Sequence, residues 1–551
     1  MSNEEIRDQL DQYYGIHAKP QQLKFTYGTA GFRTKANILD SVVFVVGILA
    51  SLRSKYLDGQ TIGIMITASH NPPEDNGIKL CDPQGEMLEQ SWETYATTLA
   101  NLNTKDEIFN EIIKLSTQLN INLDSPSNVV IARDSRDSGP ILTSSTIDGL
   151  KVLNTQYKDF GLLTTPQLHY LVKSINTLNS TTSYGEPTED GYYQKLSNAF
   201  KKIYNNFITP ASSLSSSASS PQKIKITIDA ANGIGGPKID LLIQKYLNDL
   251  IDYQIVNNQY QDPLALNVGS GADYVKTNQR LPNNINPVPL QLYASFDGDA
   301  DRVVFYYQDE EGLFKLLDGD KISTLLTSFL KDLISKSGLN AEIGVVQTAY
   351  ANGSSTNYIT DVLKVPVVCT PTGVKHLHHE AAKFDIGVYF EANGHGTVLF
   401  SDNFISVLKN TSPSTPQEQR AIETLFELSN LINQTVGDAI SDLLTVLIVL
   451  TIKQWNPANW DELYTDLPNR LTKVIVPDRY VFKTTNAERQ LTSPEGLQEK
   501  IELTVKKYQN GRSFVRASGT EDAVRVYAEA NSRAEADQLS HDISELVKNS
   551  V

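Results

Sequence analysis

The sequence predicts an α/β protein of several domains that closes with a small α+β domain, and three observations predict it. At 551 residues the chain is too long for one hydrophobic core, and ordinary domain sizes give about three to four domains. Apolar or alternating runs repeatedly lead into loops rich in Gly, Asn, Asp or Ser, with helical patterns between them, which is the sequence form of α/β layers with functional loops at strand ends. Past residue 456 the pattern changes to two strands around a loop followed by one amphipathic helix.

In chain order, "TIGIMI" (61–66) alternates Ile62, Ile64 and Ile66 and reads as a strand. It runs into "TASHNPPEDNGIKL" (67–80), where Asn71-Pro72-Pro73 stops regular structure and stiffens a turn beside Ser69 and His70. Alone, that turn fits a rigid surface loop as well as a site. "KIKITI" (223–228) leads to "DAANGIGG", "PLQLYASF" (289–296) to "DGDADR", and "DIGVYF" (385–390) to "EANGHG". "DKISTLLTSFLKDLISKSG" (320–338) has helical periodicity, and "LLTVLIVLTI" (443–452) is too short for a bilayer and reads as a buried helix. "ASSLSSSASSPQ" (211–222) is low-complexity and reads as an insertion or linker to which no function is assigned. In the last segment "GRSFVRASGTEDAVRVYAEA" (511–530) reads as two strands. Leu539, Ile543 and Leu546 follow at helical spacing behind a capping box of Ser532 and Glu535.

With 40% hydrophobic and 20% charged residues the chain is an ordinary globular protein. A formal charge of −16 argues against nucleic acid or an anionic membrane as partner, and an anionic substrate would need Arg and Lys concentrated locally. Cys81 and Cys369 are too few for a disulfide framework or a thiolate zinc site, so a reducing, cytoplasmic compartment is expected. The first residues, "MSNEEIRDQL", carry no secretory pattern.

"DGDADR" sets Asp297, Asp299 and Asp301 at alternate positions of a Gly-containing loop. Three such carboxylates repel one another unless a cation sits among them, and an all-oxygen ligand set suits Mg²⁺ or Ca²⁺. An EF-hand is excluded, because its sixth and twelfth positions are Arg302 and Gln308. Arg302 beside the acids points to a site that also handles an anion, whereas a solvated acidic turn is the bland alternative. "RASGTEDAVR" (516–525) combines Arg516, Ala517, Ser518, Gly519 and Thr520 with Arg525, the residue types that cradle a phosphate without a P-loop lysine. Arg525 follows Val524 and faces away from that strand's core. Alone, this fits a hairpin turn with two surface arginines. "EANGHG" (391–396) offers the carboxylate of Glu391, the amide of Asn393 and the imidazole of His395, groups that hydrogen-bond sugar hydroxyls, beside the small Ala392 and Gly394 that leave room for a sugar substituent, although a lone histidine is more often a satisfied polar residue.

Taken together, the four loops resemble those of the α-D-phosphohexomutases, and most closely their acetylglucosamine-phosphate branch. The resemblance runs from "GTAGFR" (28–33) to "RASGT", with "TASHNPPEDNGIK" similar to the phosphoserine loop, "DGDADR" to the metal loop and "EANGHG" to the sugar loop. "IARDSRDSG" (131–139) resembles a strand-and-loop unit that usually precedes the serine loop, and its place after Ser69 is similar to the permuted eukaryotic branch. The resemblance implies four domains around a central active-site cleft. These are 1–205 with the serine loop, 206–305 with the metal loop, 306–455 with the sugar loop, and a smaller C-terminal α+β domain, 456–551, that binds phosphate.

It further implies an isomerase that interconverts N-acetylglucosamine 6-phosphate and 1-phosphate through phospho-Ser69 and a 1,6-bisphosphate, supplying UDP-N-acetylglucosamine synthesis. Mg²⁺ would be held by Asp297, Asp299, Asp301 and a Ser69 phosphate oxygen. Lys79, His395 and Arg33 take acid, base or charge-stabilising roles, and His70 and Asn71 orient the serine. Glu391, Ala392, Asn393 and Gly394 read the sugar, while Arg516, Ala517, Ser518, Gly519, Thr520 and Arg525, with Arg302, bind phosphate. A monomer acting on a small sugar phosphate is expected. A phosphatase with a phosphoserine intermediate and a non-catalytic sugar-phosphate sensor are the rival readings.

Overall fold

The computed structural model describes residues 1–28, 31–208, 223–518 and 522–550. The chain divides into two compact units, Met1–Leu316 with Asn430–Ile452, and Leu317–Ser429 with Lys453–Val551. Residues 211–222 and 29–30, about which the sequence raised expectations, lie outside the described residues.

The first unit carries two mixed sheets. In one, β1 (Phe32–Lys35), β2 (Thr61–Ile66), β3 (Asp75–Cys81), β4 (Asn128–Arg133) and β5 (Gln156–Leu162) lie in the order β1-β3-β2-β4-β5. The central strand β2 runs parallel to β4 and antiparallel to β3. All six residues of β2 are buried, because a central strand covered on both faces must be apolar on both. Ile62, Ile64 and Ile66 therefore mark only one face. On the other face Gly63 is required, since a Cβ there would meet Val172 at 2.6 Å. The second sheet, order β10-β9-β8-β6-β7, contains β6 (Ile224–Asp229), β7 (Ile251–Val256), β8 (Tyr293–Phe296), β9 (Val303–Gln308) and β10 (Phe314–Leu317).

Helix Ala439–Lys453 is buried from Ala439 to Leu450, as the apolar run predicts. A helix apolar on every side needs cover on every side, and here the cover comes from the first unit, although its numbers fall inside the expected sugar domain. The Ala439 N–H donates to the Ala300 carbonyl at 3.0 Å, and the Tyr192 hydroxyl donates to Asp438 at 2.8 Å.

The second unit carries a four-stranded sheet, order β12-β11-β13-β14, from β11 (Ile343–Thr348), β12 (Val367–Thr370), β13 (Ile386–Phe390) and β14 (Gly396–Phe400). Helix Gly319–Ser337 is capped by the Asp318 side chain and ends at Gly338 with φ 68°, a left-handed C-terminal stop. The remaining strands are β15 (Asn469–Ile475), β16 (Lys483–Thr485), β17 (Gln490–Ser493), β18 (Arg512–Ala517) and β19 (Ala523–Glu529). They form the sheet β15-β19-β18 and the hairpin β16-β17. Val524, Val526, Leu539, Ile543 and Val547 share the core between that sheet and helix Arg533–Lys548. Ser532 caps the helix by accepting from the Glu535 N–H, and its hydroxyl donates to the Glu535 carboxylate at 2.9 Å. The architecture is thus three mixed α/β sheets and a smaller α+β unit, as predicted. Both cysteines are free thiols. Among the described residues no helix is long and apolar enough to cross a membrane.

Candidate active site

Ser69 lies three residues past β2, fully buried, with left-handed backbone at φ 52°. L side chains rarely adopt that region, and a residue stays there only when its surroundings fix it. Arg136, just beyond β4 and itself buried, supplies the fixation. One guanidinium nitrogen donates to the carbonyls of Pro72 and Asp75 at 2.6 and 2.8 Å, and another to those of Ser69 and Asn71 at 2.9 Å each. Its Nε donates to Asp134 at 3.1 Å, and Asp134 accepts the Thr67 hydroxyl at 2.7 Å. The Asn267 amide adds a bond to the Ser69 carbonyl at 2.9 Å. His70 takes no part in this: its Nδ1 is buried without a hydrogen-bond partner. The hydrogen bonds on the serine loop thus come from Arg136 and Asn267, with the Asn71 amide donating to Asp75 within the loop at 3.1 Å, and none from the expected His70.

The metal loop meets the serine at close range. A Cβ at Gly298 would stand 2.6 Å from the Ser69 carbonyl oxygen, so only glycine permits the approach. The Ser69 hydroxyl donates to Asp297 Oδ2 at 2.6 Å. Asp297, Asp299 and Asp301 are buried, and each offers an oxygen within 4.8 Å of the others. Asp297 Oδ1 accepts the N–H groups of Asp301 and Arg302 at 3.2 Å each. Thr165 donates to Asp299 at 2.6 Å. Burial, then the neighbouring Asp301 and Asp299, push the Asp297 carboxyl well above the usual carboxylate range. The positive charge at hand is Lys79, 3.4 Å from both Asp299 and Asp301, and Arg302, 3.8 Å from Asp297. Asp299 Oδ1 is buried with no hydrogen-bond partner. An all-oxygen, buried donor set with an unsatisfied carboxylate oxygen fits Mg²⁺.

Lys79 arrives on β3, where it pairs with Met65 of β2, and Arg33 on β1, where it pairs with Gly77. Burial, then Arg302, lowers the Arg33 pKa. Burial, then Arg302 and Arg33, pulls the His70 imidazole down to about 2, so it is neutral. The structure therefore gathers Ser69, His70, Lys79, Arg33, Arg302 and the three aspartates in the first unit.

In the second unit, residues 391–395 form the turn of the β13–β14 hairpin. Gly394, at φ 90°, lets its N–H donate to the Glu391 carbonyl at 2.9 Å, and Asn393 accepts the His395 N–H at 3.0 Å. Ala392 sits at the half-buried tip and His395 is buried. On the three-stranded sheet Arg516 stands opposite Arg525, and Arg525 opposite Lys473. Val524 and Val526 point to the core, so this cationic row lies on the other face. Ala517 ends β18, and the Ser518 N–H donates to the Ala523 carbonyl at 2.8 Å. Gly519 and Thr520 lie outside the described residues.

Sequence profiles match along the chain. Those described as phosphoacetylglucosamine mutase AMG1, domains II and III, match residues 183–304 and 318–455. The phosphoglucomutase/phosphomannomutase alpha/beta/alpha domain I and C-terminal domain profiles match 49–107 with 102–183, and 471–546. The phosphoacetylglucosamine mutase of Candida albicans is 58% identical over 556 residues, covering 98% of this chain and 100% of that protein. The Homo sapiens one is 50% identical, covering 97% and 96%. The chain belongs to the phosphoacetylglucosamine mutase family. Its enzyme class is accordingly that of the phosphohexomutase isomerases. A crystal structure of an N-acetylglucosamine-phosphate mutase in its substrate complex superposes with a TM-score of 0.94 at 58% identity, covering 100% of both chains. The Aspergillus fumigatus N-acetylphosphoglucosamine mutase, solved with GlcNAc-6P and magnesium, gives 0.92 at 51% identity, covering 99% and 98%.

Beside the expected loops of a phosphoacetylglucosamine mutase family member stand residues that sequence reading missed. Arg136 lay within "IARDSRDSG", a segment noticed only for its order in the chain. Thr165 and Asn267 carry no motif, and Glu488, which bonds Arg516 at 2.9 Å, sits in an unremarked hairpin. Each acts through a partner far away in sequence, so spacing along the chain holds no signal for it.

Proposed function

We propose that this chain interconverts N-acetylglucosamine 6-phosphate and N-acetylglucosamine 1-phosphate by way of a phosphoryl group carried on Ser69, and so supplies UDP-N-acetylglucosamine synthesis. The observation that carries this reading is the buried Ser69 hydroxyl, 2.6 Å from Asp297 within the three-aspartate cluster. A surface turn has no use for a buried, left-handed serine against three carboxylates. Mg²⁺ would be held by Asp297, Asp299 and Asp301 with an oxygen of phospho-Ser69, a reading supported by the magnesium complex of the Aspergillus relative. Bound there, the cation supplies the positive charge that phosphoryl transfer demands.

In the first half-reaction the sugar O1 attacks phosphorus, the O1–P bond forms and the Ser69 Oγ–P bond breaks. The O1 proton passes to a base and the serine oxygen regains one. In the second, the 6-phosphate of the bisphosphate returns to Ser69 and the 1-phosphate leaves. Lys79, Arg33 and His395 are the candidates for proton and charge handling. His70, neutral by burial, then by Arg302 and Arg33, contributes no charge. Glu391, Ala392, Asn393 and Gly394 read the sugar, and Arg516, Ala517, Ser518, Gly519, Thr520 and Arg525 hold the phosphate that is not reacting. Two free thiols and a formal charge of −16 support a cytoplasmic protein with no nucleic-acid partner.

The test is ³¹P NMR of the purified chain with N-acetylglucosamine 6-phosphate and a trace of hexose 1,6-bisphosphate. The 1-phosphate accumulates without inorganic phosphate, excess chelator stops the reaction, and Mg²⁺ restores it. Net release of phosphate would turn the reading to a phosphatase, and full turnover in chelator would remove the metal from it.

A further inference from the structure

We propose that Glu488 is a positioning residue for Arg516, setting the guanidinium so that it can take a substrate phosphate, and that Thr372 holds Glu488 in place. The inference rests on the phosphate-clamp role proposed above for Arg516.

Lys473, Arg525 and Arg516 stand side by side across β15, β19 and β18. Like charges directly opposite on adjacent strands repel, so Arg516, at the end of that row, has reason to swing away unless something anchors it. Glu488 is placed to do this. Its Oε1 accepts from Arg516 Nε at 2.9 Å. Its Oε2 accepts from both the N–H and the hydroxyl of Thr372, at 2.9 and 2.5 Å. Both carboxylate oxygens are thus used, one on the arginine and the other on a loop of the neighbouring sheet. Because the carboxylate engages the Nε side, it fixes the plane of the guanidinium, and an arginine fork recognises phosphate only in a fixed plane.

The backbone on both sides is built for the contact. Asn486, Ala487 and Glu488 are three successive left-handed residues, at φ 52°, 54° and 63°, which turn the β16–β17 hairpin. Gly373, next to Thr372, has φ 129°. The Glu488 side chain is 18% exposed and that of Arg516 24%, so water screens the pair less than it would a surface pair. Burial opposes the charge on Arg516, but Glu488 and Tyr350 together outweigh it and raise the pKa.

The experiment is a double-mutant cycle on the full chain with Glu488→Gln and Arg516→Ala. Affinity for N-acetylglucosamine 6-phosphate is measured by calorimetry, and KM and kcat by a coupled assay. Glu488→Gln is expected to weaken binding and raise KM about tenfold in the wild-type background, and less than about twofold where Arg516 is already alanine. kcat is expected to fall less than KM rises, because the clamp holds ground state and transition state alike. Equal losses in both backgrounds, or a fall in kcat with KM unchanged, would overturn the proposal by marking Glu488 as merely structural. Should Glu488→Gln fail to fold by circular dichroism, Thr372→Val carries the same cycle with the same outcomes. Binding is read without turnover, so a failed mutase assay with the expected binding cycle would count against the proposed reaction and leave the positioning role standing.

Discussion

At the scale of single residues, Ser69 is the proposed phosphoryl carrier and Arg136 sets the geometry of its loop. Ser69 presents its hydroxyl to Asp297 from a left-handed backbone, and Arg136 spends its guanidinium on four carbonyls of the loop that carries it. Removing a buried, paired charge of this kind costs about 3–5 kcal/mol. Arg136→Ala is therefore expected to lower the unfolding free energy from denaturant titration by that much and to loosen the serine loop. A cost under about 1 kcal/mol would place it with ordinary surface substitutions and contradict the clamp. The serine and the aspartates were legible because their chemistry is written locally, in "TASHNPP" and "DGDADR". Arg136 was not: the carbonyls it holds lie 61 to 67 residues away in sequence, and only the parallel pairing of β2 with β4 brings it under the loop.

At the scale of elements, strands and helices were legible where local patterning decides them, and their partners were not. "LLTVLIVLTI" announced a buried helix, but its cover in the first unit depends on Tyr192 meeting Asp438 across 246 residues. The cationic row on β15, β19 and β18 needs the register, which no single strand reveals. A second contact between elements sets a pH dependence. The buried His17 imidazole meets Asp40, the first residue of helix Asp40–Tyr56, at 2.9 Å and Asp148 of helix Gly139–Val152 at 3.3 Å. Burial pulls its pKa down, but the bonds and charges of Asp40 and Asp148 outweigh burial and raise it above the ordinary 6.5. Protonated His17 thus contributes stability that is complete below 6.5 and is lost as pH rises through the raised folded value. Asp40, whose carboxyl is lowered by His17 and Ser145 against the effect of burial, keeps its share until pH falls through that lowered value. In thermal melts, His17→Gln is expected to cost most in mildly acidic buffer and least in alkaline buffer. A difference from wild type that is constant across pH would contradict this.

For the whole molecule, the α/β plan with a closing α+β domain was readable because strand–loop–helix units repeat along the chain and change character only at the end. A formal charge of −16 coexists with Arg33, Lys79 and Arg302 gathered at the aspartates and with Lys473, Arg525 and Arg516 aligned on one sheet. Within each unit that is a local concentration of cations of the kind an anionic substrate would need. What ties these features to one reaction is the claim that Ser69 carries the phosphoryl group in transit. The direct measurement is a rapid-quench experiment with enzyme ³²P-labelled by a hexose 1,6-bisphosphate and mixed with unlabelled N-acetylglucosamine 6-phosphate. Label is expected on Ser69 at the start, is expected to pass to the sugar at least as fast as steady-state turnover, and is expected to be missing from Ser69→Ala, which still binds substrate. Label on another residue, transfer slower than turnover, or label lost to inorganic phosphate would contradict it.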